Sequence, residues 1–126
     1  MLETIDTLIG AEWLLPIEPK DVVLRDHGVA IRDGRIVAVL DFAEALQRFA
    51  PKQQLFLSGH VLLPGLINLH THAAMSLLRG LADDLALMQW LNAHIWPAER
   101  AHVSAEFVFD GTLLACAEML RGGITC

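Results

Sequence analysis

The stretch Val61-Leu62-Leu63-Pro64-Gly65-Leu66-Ile67-Asn68-Leu69-His70-Thr71-His72 decides the fold class. From Val61 to Leu69 it is almost continuously apolar, which fits a strand buried on both faces, as in a parallel sheet. His70 and His72 follow at i and i+2. In a strand that spacing sends both side chains to one side, so the two imidazoles form a candidate chelating pair. Neutral imidazole is a common ligand for zinc and similar metals. In α/β barrels the C-terminal ends of the strands carry the active site, and the pair stands at such an end. The spacing alone leaves a plainer alternative open, two exposed histidines on a turn.

Downstream, Asp84 is placed to cap a helix over Leu85–Ile95 that Pro97 stops. Ser104 is placed to cap a second helix over Ala105–Arg121, ended by Gly122-Gly123. Ile124-Thr125-Cys126 reads as the first residues of another strand. Strand, helix, helix, strand is the order of a βα unit leading into its successor, so residues 61–126 read as the start of a (β/α)8 barrel or a doubly wound sheet. One βα unit cannot close a barrel of about 250 residues. The expectation is therefore an N-terminal portion of a longer polypeptide, with a complete small protein as the alternative.

Upstream, residues 1–60 read as a small β-sandwich or open barrel. Leu8–Leu15 is one apolar-rich run. Val22-Val23-Leu24 and Val29-Ala30-Ile31 follow, then the hairpin signal Asp33-Gly34, then Ile36–Leu40. Residues 42–49 suggest a short helix ended before Pro51, and Leu55–Leu57 a further strand.

Composition narrows the function classes. The 126 residues are 54% hydrophobic and 19% charged, which excludes disorder as the main state. Nine basic residues stand against fifteen acidic ones, a net charge of −6. With no basic run, nucleic-acid binding is not expected. Two cysteines, Cys116 and Cys126, are too few for a disulfide framework and fit a reducing cytoplasm. The start Met1–Asp6 has no basic n-region. The charge-free run from Gln53 to Leu78 is interrupted by polar residues and prolines, so no membrane span is expected.

The residues Leu63–His72 resemble the first barrel strand of the amidohydrolase superfamily. The Asp33-Gly34-Arg35-Ile36 hairpin is similar to part of that superfamily's small β-sandwich. Ala73–Gly80, Asp83-Asp84-Leu85, Trp90-Leu91 and Trp96-Pro97-Ala98-Glu99 resemble the branch of adenosine-type deaminases and triazine hydrolases. Within it they look nearest to deaminases of 5-methylthioadenosine and S-adenosylhomocysteine. The resemblance implies a (β/α)8 barrel with a sandwich built from both chain ends. It implies His70 and His72 as two ligands of zinc, or of another divalent transition metal such as iron. The family's remaining ligands and its general acid/base lie beyond Cys126, so no catalytic residue is expected within this chain, and the chain alone is expected to be inactive. The implied reaction is hydrolytic: water activated by the metal displaces ammonia from the adenine ring and leaves the inosine analogue. Guanine, cytosine or triazine hydrolysis, or a non-catalytic β-sandwich binding module, are the alternatives. The implied partners are a small nucleoside and further copies of the chain, as a cytoplasmic homo-oligomer.

Three substrate-binding candidates accompany the metal pair. At 100° per residue, Leu87, Met88, Leu91 and Ile95 form one helical stripe, and Trp90 falls outside it near His94. Its indole needs another partner, either a neighbouring element or, as the resemblance implies, the substrate's aromatic base. Glu99, past Pro97, reads as a loop carboxylate; the resemblance implies an acceptor for ribose hydroxyls. Met75 either lines an apolar pocket beside the metal motif or belongs to the core. Arg79-Gly80 holds a loop or an interface, or is solvated. Asp83 and Asp84 read as helix N-terminal charges. His27, His60, His94 and His102 have no partner at strand spacing and are not expected to be ligands, and Cys116 reads as a buried small residue.

Overall fold

A computed structural model describes all residues from Met1 to Cys126. They form two compact units, Met1–Pro64 and Gly65–Cys126, and together make a mixed α/β chain.

The first unit is one four-stranded sheet in the order β3-β2-β1-β4, with a single short helix. The strands are β1 (Glu3–Leu14), β2 (Leu24–Arg32), β3 (Arg35–Asp41) and β4 (Phe49–Leu62), with α1 (Phe42–Arg48) between the last two. β1 runs antiparallel to β2 and parallel to β4. Asp33 (φ 52°) and Gly34 (φ 70°) are both left-handed, the two-residue turn that matches strand twist. The Asp33 N–H donates to Asp6 Oδ2 at 2.8 Å, and Lys52 Nζ donates to the other oxygen at 2.7 Å. Asp41 caps α1, accepting from the N–H groups of Ala43 and Glu44 at 2.9 and 3.0 Å.

The core holds Ile5, Leu8, Ala30, Leu40, Ala45 and Phe49. Gly10 pairs with Gly28 across β1 and β2, and a methyl on Gly28 would stand 2.9 Å from the Phe42 ring. The paired glycines leave the space that this ring fills, and Phe42 meets Phe56 at 4.8 Å between centroids. The unit contains one sheet, where the sequence suggests a small sandwich or open barrel and the resemblance implies a sandwich built from both chain ends. A row Leu55–Ile9–Val29–Val39 crosses all four strands, and its two outer members are open to solvent. The strands are also longer than the apolar runs suggested. β1 starts at Glu3 and β4 spans fourteen residues, because backbone pairing carries them through polar positions. Val22 and Val23 precede β2 and lie outside it.

The second unit departs from the sequence reading at its start. The expected doubly buried strand over 61–69 is absent. Val61 and Leu62 end β4, paired with β1, and beyond them only Leu66 pairs, in a parallel bridge with Ile124, supported by Leu66 N–H to Gly123 O, Thr125 N–H to Leu66 O and Asn68 N–H to Cys126 O at 2.7–2.9 Å. Pairing is one-sided, so Leu66, Ile67 and Leu69 are exposed. A 3₁₀ helix (Ala73–Leu78) follows the histidine motif. The helix expected over 85–95 begins later, with α2 (Leu87–Trp90), and Asp84 does not cap it. Nor does Pro97 end it. The helix passes through a π turn (Leu91–Ile95) into α3 (Trp96–His102). At the π turn the Trp96 N–H reaches back five residues to Leu91 O. Pro97, which has no N–H, then takes its place in the first turn of α3, where none is needed. α4 (Ala105–Arg121) is as expected, with Ser104 Oγ accepting the Phe107 N–H at 3.1 Å. No helix is long and apolar enough to cross a membrane.

Candidate functional site

Asn68 opens the site. Its Oδ1 accepts the His70 N–H at 3.0 Å, taking the donor that a strand would give to its neighbour. The motif is therefore a turn and not a strand end. His72 (φ −104°, ψ 65°) caps the 3₁₀ helix, and its carbonyl accepts the Met75 N–H at 2.9 Å.

The two imidazoles still converge. His70 Nε2 and His72 Nε2 lie 3.0 Å apart, with ring centroids 5.0 Å apart and planes inclined by 52°. An ion about 2.05 Å from each nitrogen would subtend an angle of about 95°, which four- or five-coordinate zinc accommodates. The donor set fits a divalent transition metal. It is two ligands only: no group of three or more His, Cys, Asp or Glu side chains comes together to hold an ion. Both histidines are exposed.

α4 holds this segment at three points. Asn68 Nδ2 donates to Met119 Sδ at 3.3 Å. The Arg79 guanidinium grips the Glu118 carboxylate with two bonds, of 2.8 and 2.6 Å. Between them, buried Gly111 lets the helix backbone lie on Ala74, whose Cα would be 2.9 Å from an added methyl. The hydrogen bonds from Arg79 hold the Glu118 carboxyl below its usual range, and those to Glu118 raise Arg79.

Beside the pair lies a cleft of about 310 Å³, whose lining includes His72, Met75, Arg79, Asp83 and Trp90. Trp90 is half-buried, and its Nε1–H donates to the Leu81 carbonyl at 2.6 Å. That bond to the loop is the partner its position off the helical stripe called for. Met75 lines the cleft and is half-buried. Glu99 is not among the cleft's lining residues. It sits in the first turn of α3 and not in a loop, because the helix continues through Pro97. Asp83, read from the sequence as a helix charge, belongs to the cleft.

His27 and His60 are occupied locally, each ring donating to a carbonyl two residues back, Arg25 O at 2.7 Å and Ser58 O at 2.8 Å. Cys116, expected to be buried, is exposed, as is Cys126. The sequence reading missed Asn68 and Glu118 as members of the site. Asn at two residues before the first histidine is a local turn signal that could have found Asn68; nothing local marks Glu118, which meets Arg79 across 39 residues.

A paired imidazole motif at the start of a βα unit can now be set beside known proteins. Residues 61–126 match the model of the Amidohydrolase family. The chain belongs to that family. A 5-methylthioadenosine/S-adenosylhomocysteine deaminase of Saccharophagus degradans is 48% identical over 121 residues, 96% of this chain and 27% of the relative. The crystal structure of an adenosine deaminase from Xanthomonas campestris with bound zinc superposes with a TM-score of 0.95 at 57% identity, over 100% of this chain and 29% of that one. Helicobacter pylori aminofutalosine deaminase in complex with methylthio-coformycin gives a TM-score of 0.72 at 25% identity, over 94% of this chain and 28% of that one. The amidohydrolase chain thus spans between a quarter and a third of the length of these proteins.

Proposed function

We propose that the chain is the N-terminal part of a metal-dependent hydrolase that deaminates adenosine-type nucleosides, 5-methylthioadenosine or S-adenosylhomocysteine, to the inosine analogue and ammonia. The observation that carries the reading is the convergence of His70 and His72 Nε2 at 3.0 Å beside a cleft lined by Trp90 and Met75. The likeness to the deaminases supports the substrate class.

His70 and His72 would supply two ligands of a divalent metal, zinc by likeness to the zinc-bound relative. Bound there, such an ion brings the ionisation of water down to neutral pH and so supplies the nucleophile for hydrolysis. The chain's own residues do the positioning. Trp90, held by its bond to Leu81, offers an indole face for a purine. Met75 supplies polarisable apolar surface. Glu99 would accept hydrogen bonds from the ribose hydroxyls once the substrate spans from the cleft to α3. The remaining ligands and the general acid/base would come from later strands of a (β/α)8 barrel. The open apolar row Leu55–Ile9–Val29–Val39 is the face on which a second sheet would complete a small sandwich. The proposed protein is cytoplasmic and homo-oligomeric.

The test is ammonia release by the complete polypeptide, purified with its metal, on methylthioadenosine, S-adenosylhomocysteine, guanine, cytosine and an aminotriazine. Turnover of the two nucleosides, abolished in His70→Ala and His72→Ala, is expected. Turnover confined to free bases or triazines refutes the substrate class, and turnover that survives the double histidine variant refutes the metal pair.

A further inference from the structure

Asn68 joins the parallel bridge, the His70 backbone and α4, yet its chemistry makes it neither an expected metal ligand nor an expected substrate contact. Its main-chain N–H closes the parallel ladder on Cys126 O at 2.7 Å. Its side chain then ends the ladder. Oδ1 accepts the His70 N–H at 3.0 Å and Nδ2 donates to Met119 Sδ at 3.3 Å. The two side-chain bonds are coupled: with the amide nitrogen aimed at the α4 sulfur, the oxygen faces His70. The backbone turns there, His72 leaves the extended region, and the rings meet at 3.0 Å.

We propose that Asn68 is a positioning residue, its amide bridging α4 and the His70 backbone so that the two imidazoles present their Nε2 atoms to one ion. The proposal rests on the reading of His70 and His72 as metal ligands. Both rings are exposed and neither is held by packing, so the backbone turn is what fixes their approach. Groups that orient metal ligands are worth roughly 10–100-fold in metal affinity.

The experiment measures zinc affinity of the complete polypeptide by competition with a chromophoric chelator, and the visible spectrum of the cobalt-substituted protein. Asn68→Leu keeps the volume and removes the acceptor; zinc affinity falls about 10–100-fold and the cobalt bands shift. Asn68→Asp keeps the acceptor for His70 but gives up the donor to Met119, so its affinity falls between that of the parent and that of Asn68→Leu. If Asn68→Leu does not fold, Asn68→Ala carries the test. Unchanged affinity and spectrum in Asn68→Leu or Asn68→Ala overturns the proposal. So does an Asp variant as weak as Leu, since the retained acceptor would then count for nothing. A His70→Ala, His72→Ala double variant that binds zinc as tightly as the parent overturns the ligand reading instead, which separates the two failures.

Discussion

Replacing Gly111 by alanine tests whether close backbone contact between α4 and the 3₁₀ helix supports the histidine motif. In an ordinary helix interior this change stabilises, by about 1 kcal/mol. Here the new methyl would stand 2.5 Å from the Ala74 carbonyl oxygen and 2.9 Å from its Cα. Comfortable carbon contacts begin at about 3.5 Å, so the two backbones must separate by roughly 0.5–1 Å. The neighbour is main chain and cannot swing away as a side-chain tip would, so the overpacking cost of about 1–3 kcal/mol falls toward its upper end. The net expectation is a loss of about 1–2 kcal/mol. Urea unfolding followed by tryptophan fluorescence reads it. Within the 126 residues, a Trp13→Phe background leaves Trp90 and Trp96 as the reporters, both within Gly65–Cys126. A Gly111→Ala protein that is more stable than its parent by about the helix-propensity gain would show that the contact is not tight and would refute the reasoning.

Two further outcomes follow from the same contacts. Trp90→Phe keeps an aromatic face but strips the donor from the Leu81 carbonyl; a loss of about 1 kcal/mol is expected on urea unfolding, and an unchanged midpoint would mean the loop carbonyl is satisfied otherwise. For Glu118, the folded-state carboxyl titrates below its ordinary value of 4.5 because Arg79 bonds to it. Its stabilisation is therefore present above about pH 4.5 and is lost as pH falls through the lower, folded value. Glu118→Gln should flatten the acid limb of a stability-versus-pH curve while leaving pH 7 and above offset by a constant; a limb of the same steepness would place the acid sensitivity elsewhere.

What the sequence made legible was local. The Asp33-Gly34 turn, the Ser104 cap and the pairing of His70 with His72 each depend on a few adjacent residues, and each stands in the structure. The misreadings share a different cause. Pro97 ends a regular helix, but the π turn just upstream, Leu91–Ile95, changes which carbonyls need donors, and that shift leaves no mark in a periodicity of 3.6. Glu99 was misplaced in a loop by the same step. The run 61–69 has the composition of a doubly buried strand, but composition states what burial a segment can use and not which neighbours are there to supply it. Its one-sided pairing with Ile124 leaves Leu69 open. The contacts of Arg79 with Glu118 and Asn68 with Met119 join residues 39 and 51 apart, beyond any window in which pattern can be read.

Those long-range contacts bear on how an exposed pair of histidines can be held in a chelating geometry at all. Packing does not do it, since neither ring is buried, and free imidazoles would lose rotamer entropy on meeting at 3.0 Å. The segment carrying them is instead tethered at both ends and the middle: Asn68 to Met119, Ala74 against Gly111, and Arg79 to Glu118. All three tethers converge on α4, two of them on adjacent residues, Glu118 and Met119. Both ends of the twelve-residue turn from Asn68 to Arg79 are thereby fastened near the C-terminal end of a seventeen-residue helix, and its middle to Gly111 about two turns earlier. The cost of ordering the turn is met by contacts remote from the histidines, which leaves their nitrogens free of competing partners other than each other. Affinity for an ion should then respond to changes on α4 that never touch the site. Glu118→Gln and Met119→Leu, each mild for the helix, should together weaken zinc binding by more than the sum of their separate effects, because each tether still holds the turn when the other is lost. Strictly additive effects in that double variant would show that the two tethers hold independent segments, and the argument for one jointly tethered turn would fail.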